Sequence, residues 1–191
     1  FLNYFVKTDN LNEVQRVVSV FANDPDASVD PVIYANAAGY LLDRDMIRGV
    51  RDMLIRAYQA DNTNPEAHYH LARYNHRVEA FREERDALDN AIEAFGLAEP
   101  LSAERLVMQI DTDIRSGEYW YDREEILTAQ EELSRARARY AEALEAGFIS
   151  PERSLARVYA RLGDIDYFYG GEFDRALDRY NRAAADGYES D

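Results

Sequence analysis

Apolar residues recur along this chain at intervals of three and four, in short stripes separated by polar breaks. That spacing marks the buried face of amphipathic helices. Tyr34, Ala37, Ala38 and Leu41 form one stripe, and Val50, Leu54 and Ala57 form the next. A shift of 34 residues carries these onto His68, Leu71, Ala72, Asn75, Glu84, Leu88 and Ala91. The breaks are Asp43-Arg44-Asp45 in the first copy and Arg77 to Arg82 in the second. Small residues at Ala37, Ala38, Ala57, Ala72 and Ala91 let two helices approach closely, so each copy predicts an antiparallel helix hairpin.

Start and stop signals agree. Asp30-Pro31, Asn64-Pro65 and Ser150-Pro151 each place a capping side chain before a proline at the first helical position. Phe95-Gly96-Leu97, Ala146-Gly147-Phe148 and Asp186-Gly187-Tyr188 read as helix ends, with glycine in the left-handed turn and an apolar residue folding back. Phe1, Leu2 and Phe5 read as the end of a first helix, Thr8-Asp9-Asn10 as its turn, and Val14, Val18 and Phe21 as the stripe of its partner. At the far end Tyr159, Leu162 and Gly163 begin a pair that Ala176, Tyr180 and Ala183 complete. It is one residue longer than the others, and the extra residue is expected in the turn at Gly170-Gly171. The pair in between is irregular. Leu106, Val107, Ile110 and Ile114 make a first helix. The stripe Ile126, Ala129, Leu133, Ala136, Tyr140 and Ala143 makes one long second helix from Glu124 to Ala146. The insertion between them predicts a loop over Ser116 to Arg123. The helix pairs expected are thus 1–22, 31–60, 65–95, 102–146 and 151–186.

Composition narrows the function classes. With 47% hydrophobic residues the chain is not of the disordered class, although its formal net charge is −15. Acids outnumber Lys and Arg by 37 to 22, which argues against a nucleic-acid surface. No apolar stretch approaches the roughly 20 residues needed to span a bilayer. Cysteine is absent, which suits an oxidising compartment and the cytosol equally. The chain lacks an initiator Met and stops at Asp191, where another helix would begin. It is therefore expected to be a single solenoid segment of a longer protein. Phe1, Leu2 and Phe5 exposed at its start would favour self-association.

The 34-residue period of Tyr34 to Ala91, together with Leu162-Gly163, Ala176, Tyr180 and Ala183, resembles the tetratricopeptide repeat. The resemblance covers nearly the whole chain. It implies an all-α, right-handed solenoid of antiparallel hairpins that binds other proteins and holds no cofactor. Two features depart from the pattern: Glu84 stands where a small residue is usual, and the fourth pair carries the insertion and the lengthened second helix. A narrower resemblance lies in Asn64-Pro65-Glu66-Ala67-His68-Tyr69-His70-Leu71-Ala72-Arg73-Tyr74, Glu83-Glu84-Arg85, Ala91-Ile92-Glu93-Ala94-Phe95 and Tyr159 to Phe168. These runs are similar to spirochaete flagellar-collar proteins, and the similarity implies a periplasmic assembly component with flagellar-motor partners.

Two surfaces are candidates for partner binding. On the helix that begins at Pro65, Tyr69, Arg73, His76 and Arg77 share one face bordered by His70. Such a row suits acidic or carboxylate groups of a partner, and Ala35, Asn36, Gly39 and Leu42 of the preceding repeat would leave room for one. The alternative is that Arg73 and Arg77 pair with acids of neighbouring repeats, such as Asp43 or Asp111. The second surface is Tyr119-Trp120-Tyr121 in the insertion, which either anchors a partner or plugs the gap made by the longer helix. His70 and His76 fall on different sides of a helix and His68 and His76 lie too far apart along it, so no metal site is expected. The Glu pairs at 83–84, 124–125 and 131–132 point apart as solvated faces, and no phosphate loop, nucleophile elbow or thiol is present. The expectation is a non-catalytic protein-interaction scaffold. The alternative is a peptide adaptor whose groove takes a short acidic or C-terminal motif.

Overall fold

In the computed structural model, residues 2–22, 30–98, 101–149 and 155–187 are described, apart from the side chains of residues 2, 3, 21 and 22. The expectations on Phe1, the Leu2 and Phe21 side chains, Ser150-Pro151 and Tyr188 lie outside them. The described residues form helices α1 (Leu2–Lys7), α2 (Leu11–Ala22), α3 (Pro31–Leu42), α4 (Val50–Ala60), α5 (Pro65–Arg77), α6 (Phe81–Leu97), α7 (Ala103–Tyr121), α8 (Ile126–Glu145), α9 (Ala156–Ile165) and α10 (Phe173–Ala185). A π-helical turn, Asp166–Gly170, closes α9. No described helix is long and apolar enough to cross a membrane.

The chain divides into two compact units, Phe1–Pro100 and Leu101–Asp191. In the first, α1/α2, α3/α4 and α5/α6 are hairpins, and α3 packs against both α1 and α5 while α5 also rests on α4. Its core runs from Val14 and Val18 through Tyr34, Ala38, Leu41 and Leu42 to Leu54 and Ala57. In the second, α7/α8 and α9/α10 are hairpins and α9 packs on α8. Ala129, Leu133, Leu155, Val158, Leu162 and Ile165 form its core.

Three hairpins place one small and one large buried residue, the pivot, at the same interval across the turn. Ala38 and Leu54, Ala72 and Leu88, and Gly117 and Leu133 are each 16 residues apart. All are buried. At Gly117 the fit is so close that a Cβ would stand 2.5 Å from the Leu133 side chain. This pairing corrects the expected loop over Ser116 to Arg123. The hairpin α7/α8 keeps the ordinary interval across its turn, and the added residues lengthen both helices at the end away from that turn. Ser116 to Tyr121 therefore complete α7. Truncating Leu54, Leu88 or Leu133 to Ala would cost about 2–5 kcal/mol.

The turns repeat as closely as the pivots. Asp9, Asp45, Glu79, Glu124 and Gly171 each take a left-handed backbone, with φ between 54° and 64°. After the first four, the next N–H donates to a carbonyl five residues back: Asn10 to Phe5, Met46 to Leu41, Ala80 to Asn75 and Glu125 to Trp120, all at 2.9–3.0 Å. These are Schellman closures. In the fifth, the Glu172 N–H donates to the Asp166 carbonyl, six residues back, at 2.9 Å. The longer reach accounts for the extra residue of the last pair, Gly163 to Tyr180. It widens the final turn of α9 from α to π ahead of Gly171, rather than adding a residue at Gly170-Gly171 as the sequence predicts.

Helix starts follow the sequence signals. The Asp30 carboxylate accepts from the Val32 N–H at 2.9 Å, and the Asn64 amide oxygen accepts from the Ala67 N–H at 2.8 Å. Gly147 and Gly187 have positive φ, as expected of helix ends. Gly96 does not end a helix, since α6 continues to Leu97.

Candidate protein-interaction surfaces

The cap at Asn64 starts α5 and so sets which of its side chains face α3. Tyr69 and His70 turn inward and are buried. A Cβ at Gly39 would stand 2.3 Å from the His70 ring, so the space left by Gly39 is filled by this imidazole. Arg73 reaches back to the Asp43 carboxylate at 2.5 Å, and its guanidinium lies 5.6 Å from the Tyr69 ring centre. Arg77 pairs with Asp45. His76 meets the buried Glu84 carboxylate at 2.9 Å, which gives that unusual acid its partner. One hairpin earlier, Arg44 pairs with Asp9 and stacks 3.7 Å from the Tyr40 ring centre, while the Tyr40 hydroxyl donates to Asp9 at 2.8 Å. The row read from the sequence is thus split: two residues are interior, two bridge adjacent hairpins, and one holds α6. Asp111, the other acid considered for Arg73 and Arg77, pairs with Arg115 at 2.6 Å.

Tyr119, Trp120 and Tyr121 occupy the last turn of α7. Tyr119 is buried, with the Arg123 guanidinium 3.5 Å from its ring centre. Trp120 crosses Tyr119 edge to face at 5.3 Å. Trp120 and Tyr121, both half-buried, pack on the core of the second unit. The Tyr121 hydroxyl lies 3.4 Å from Asp164, and the Tyr180 hydroxyl donates to the same carboxylate at 3.0 Å. Burial, then the Asp164 contact, pushes the Tyr180 phenol far up.

Among the described residues of this unit, two carboxylates are completely buried. Asp113 is bracketed by Arg135 at 3.0 Å and Arg139 at 2.5 Å, and burial pushes its carboxyl up against the pull of both. Asp166, in the π turn, is bracketed by Arg175 at 2.5 Å and Arg179 at 3.0 Å. Arg179 also donates to the Leu162 carbonyl at 2.8 Å, and burial lowers its pKa.

The surface that sequence reading missed lies just beyond Asp166. Tyr167, Phe168, Tyr169, Phe173 and Leu177 are 47% to 68% exposed. Tyr167 meets Phe168 edge to face at 4.9 Å and Phe173 at 5.4 Å, so three of them form one patch. At two of these positions the other hairpins are polar, whereas at the position of Phe173 they carry Ile47, Phe81 and Ile126. Two residues before the left-handed turn residue stand Asp43, Arg77 and Asp122, where the last hairpin has Tyr169. Three residues before the large pivot stand Arg51, Arg85 and Gln130, where it has Leu177. The signal available in the sequence was the replacement of polar residues by Tyr169 and Leu177 at two repeat-equivalent positions, beside the one-residue insertion.

The architecture is shared with solved helical-repeat structures. BtubC (BKLC) from P. vanneervenii superimposes with a TM-score of 0.70 at 18% identity, over 100% of this chain and 80% of that one. MamA superimposes with a TM-score of 0.61 at 18% identity, over 91% and 84%. The fold is the all-α tetratricopeptide type. No protein-family model and no curated relative matches the chain. At these identities the likeness is one of fold, and in the tetratricopeptide frame the aromatic patch sits at a hairpin tip.

Proposed function

We propose that this chain is a protein-binding scaffold and that the tip of the α9/α10 hairpin is a contact surface. The observation that carries this reading is the exposed aromatic cluster Tyr167, Phe168, Tyr169 and Phe173, in which Tyr169 stands where other hairpins carry Asp43, Arg77 or Asp122. Exposed contiguous aromatics cost solubility and serve as interface anchors. Arg73 and Arg77 support the adaptor alternative less well, because both already hold acids of the preceding hairpin.

A finer placement rests on the sequence alone. The runs from Asn64 to Phe95 and from Tyr159 to Phe168 resemble spirochaete flagellar-collar proteins, so we place the scaffold in a periplasmic motor assembly. A photo-crosslinking residue installed at Phe168 in the source cell tests both levels, with Gln130 as control. The scaffold reading expects protein adducts from position 168 well above those from 130. The finer placement expects motor components among them and the chain in the periplasmic fraction. Equal capture at both positions removes the tip as contact surface. Adducts with cytoplasmic proteins only remove the collar placement and leave the scaffold.

A further inference from the structure

The tip carries charge as well as aromatic surface, and three exposed acids that make no ion pair among the described residues lie around it. Glu172 and Asp174 flank Phe173 in sequence, and both are exposed. Asp122 is exposed on the neighbouring turn, close enough to Arg161 to raise its pKa. Arg161 in turn lies 4.8 Å from the Tyr121 ring centre. Among the described residues none of Asp122, Glu172 and Asp174 makes an ion pair. Most of the cations nearby are engaged, although Arg137, close enough to Arg179 to add to the lowering of its pKa by burial, makes no ion pair among the described residues, and Arg175 also feels Glu172. Arg175 and Arg179 hold the buried Asp166, Arg161 reaches Asp164 at 3.5 Å, Arg182 pairs with Asp178 at 3.0 Å, and Arg157 pairs with Glu118 at 2.6 Å. The chain's single lysine, Lys7, lies in the other unit.

The π turn explains why aromatics and acids share the tip. Asp166 is held inward by two guanidiniums, so the next three residues are carried around the widened turn to the outside. The turn then closes on Gly171, and Glu172 begins the approach to α10. Widened turns of this kind concentrate at functional sites.

Building on the docking reading above, we infer that the tip takes a basic segment of another protein, one that sets apolar side chains beside arginine or lysine. Its apolar side chains cover Phe168, Phe173 and Leu177, and its cations meet Glu172, Asp174 and Asp122. A neutral apolar segment would leave these acids partly desolvated without partners, and an acidic one would be repelled. A second copy of this chain is a poor match, because with a net charge of −15 it brings further acid to an acidic rim.

The test uses the full chain and three fluorescein-labelled peptides that share one pattern of Leu and Phe. The remaining positions are Arg in the first, Gln in the second and Glu in the third. Anisotropy titrations at low and moderate salt report affinity, and circular dichroism confirms that each variant is folded. The Arg peptide is expected to bind at least about tenfold more tightly than the Gln peptide, and the Glu peptide not to bind. Phe168→Ser/Phe173→Ser is expected to weaken the Arg peptide at least about tenfold. Glu172→Lys/Asp174→Lys is expected to weaken it similarly and to let the Glu peptide bind. Equal binding of the Arg and Gln peptides, lost in Phe168→Ser/Phe173→Ser, overturns the basic partner and leaves the docking surface. Binding of the Arg peptide unchanged by Phe168→Ser/Phe173→Ser reduces the effect to diffuse attraction and overturns both. Dimerisation of the chain alone that this double variant abolishes assigns the tip to a second copy and also overturns the inference.

Discussion

The hairpin tips of the first unit and the last tip of the second share a left-handed turn residue but differ in chemistry. In the first unit the turns at Asp9, Asp45 and Glu79 are edged by charged side chains, and Arg44, Arg73 and Arg77 pair with Asp9, Asp43 and Asp45 of the hairpin before. These tips are stitched together by exposed ion pairs. At the last tip of the second unit the arrangement is inverted. The charge, Asp166 with Arg175 and Arg179, lies inside, and Tyr167, Phe168, Tyr169 and Phe173 lie outside. Exposed ion pairs contribute little stability, whereas a fully buried carboxylate with two guanidiniums tolerates no loss of a partner. The contrast separates a tip organised for stacking hairpins from one organised to hold an outward surface. Departures from a repeated local rule are where function is expected.

Four substitutions would break or sharpen this contrast. The largest effect is expected from Asp166→Ala, which strands Arg179 in a buried site. It should cost the second unit about 3–5 kcal/mol. The chain's single tryptophan, Trp120, sits in that unit, so its fluorescence during urea unfolding reads the loss. A cost under about 1 kcal/mol, the range of an exposed pair, would show that the buried charge does not organise the tip. Next comes Gly39→Ala. Its methyl would meet the buried His70 ring, and overpacking of this kind costs about 1–3 kcal/mol. Faster amide exchange in α3 and α5 would register it, and unchanged exchange would mean that His70 can move aside.

The third substitution should stabilise. Glu124→Gly relieves a left-handed backbone that costs a residue with a side chain about 1–2 kcal/mol. The added freedom of glycine in the unfolded chain offsets part of that gain. A net rise of up to about 1 kcal/mol in denaturant stability is expected. A net loss would mean that the Glu124 side chain has a role in the turn. The smallest effect is expected from Arg77→Ala. Its pair with Asp45 is exposed and should contribute about 0.5 kcal/mol or less in thermal or denaturant melts. A cost several times larger would raise the stacked tips above ordinary surface pairs.

Much of this architecture is legible in the sequence, because the 34-residue period and the caps at Asp30 and Asn64 are local signals. Sequence and structure part where two local readings compete. Around Gly117 the apolar spacing of Ile110 and Ile114 suggests an earlier hairpin pivot, which leaves the remaining residues to a loop. The decisive partner of Gly117 is Leu133, and that fit depends on a distance no periodicity contains. The row Tyr69, His70, Arg73, His76 and Arg77 reads as one face, but Asp43, Asp45, Glu84 and Gly39 divide it among three neighbours. The aromatic tip is hidden in the sequence because Tyr167, Phe168 and Tyr169 look like core residues in a helical frame. A π turn rotates the residues beyond it, and the frame has to be shifted by one residue to see these aromatics outside.

The central claim is that the tip of α9/α10 is the surface that meets a partner. A two-dimensional amide NMR titration of the isotope-labelled full chain with the Arg-bearing peptide tests this most directly. Shifts are predicted to concentrate at residues 164–177 and at Tyr121 and Asp122, with Arg73, His76 and Arg77 unmoved. Shifts centred on the α5 residues instead, with 164–177 unmoved, would contradict it and return the binding face to α5.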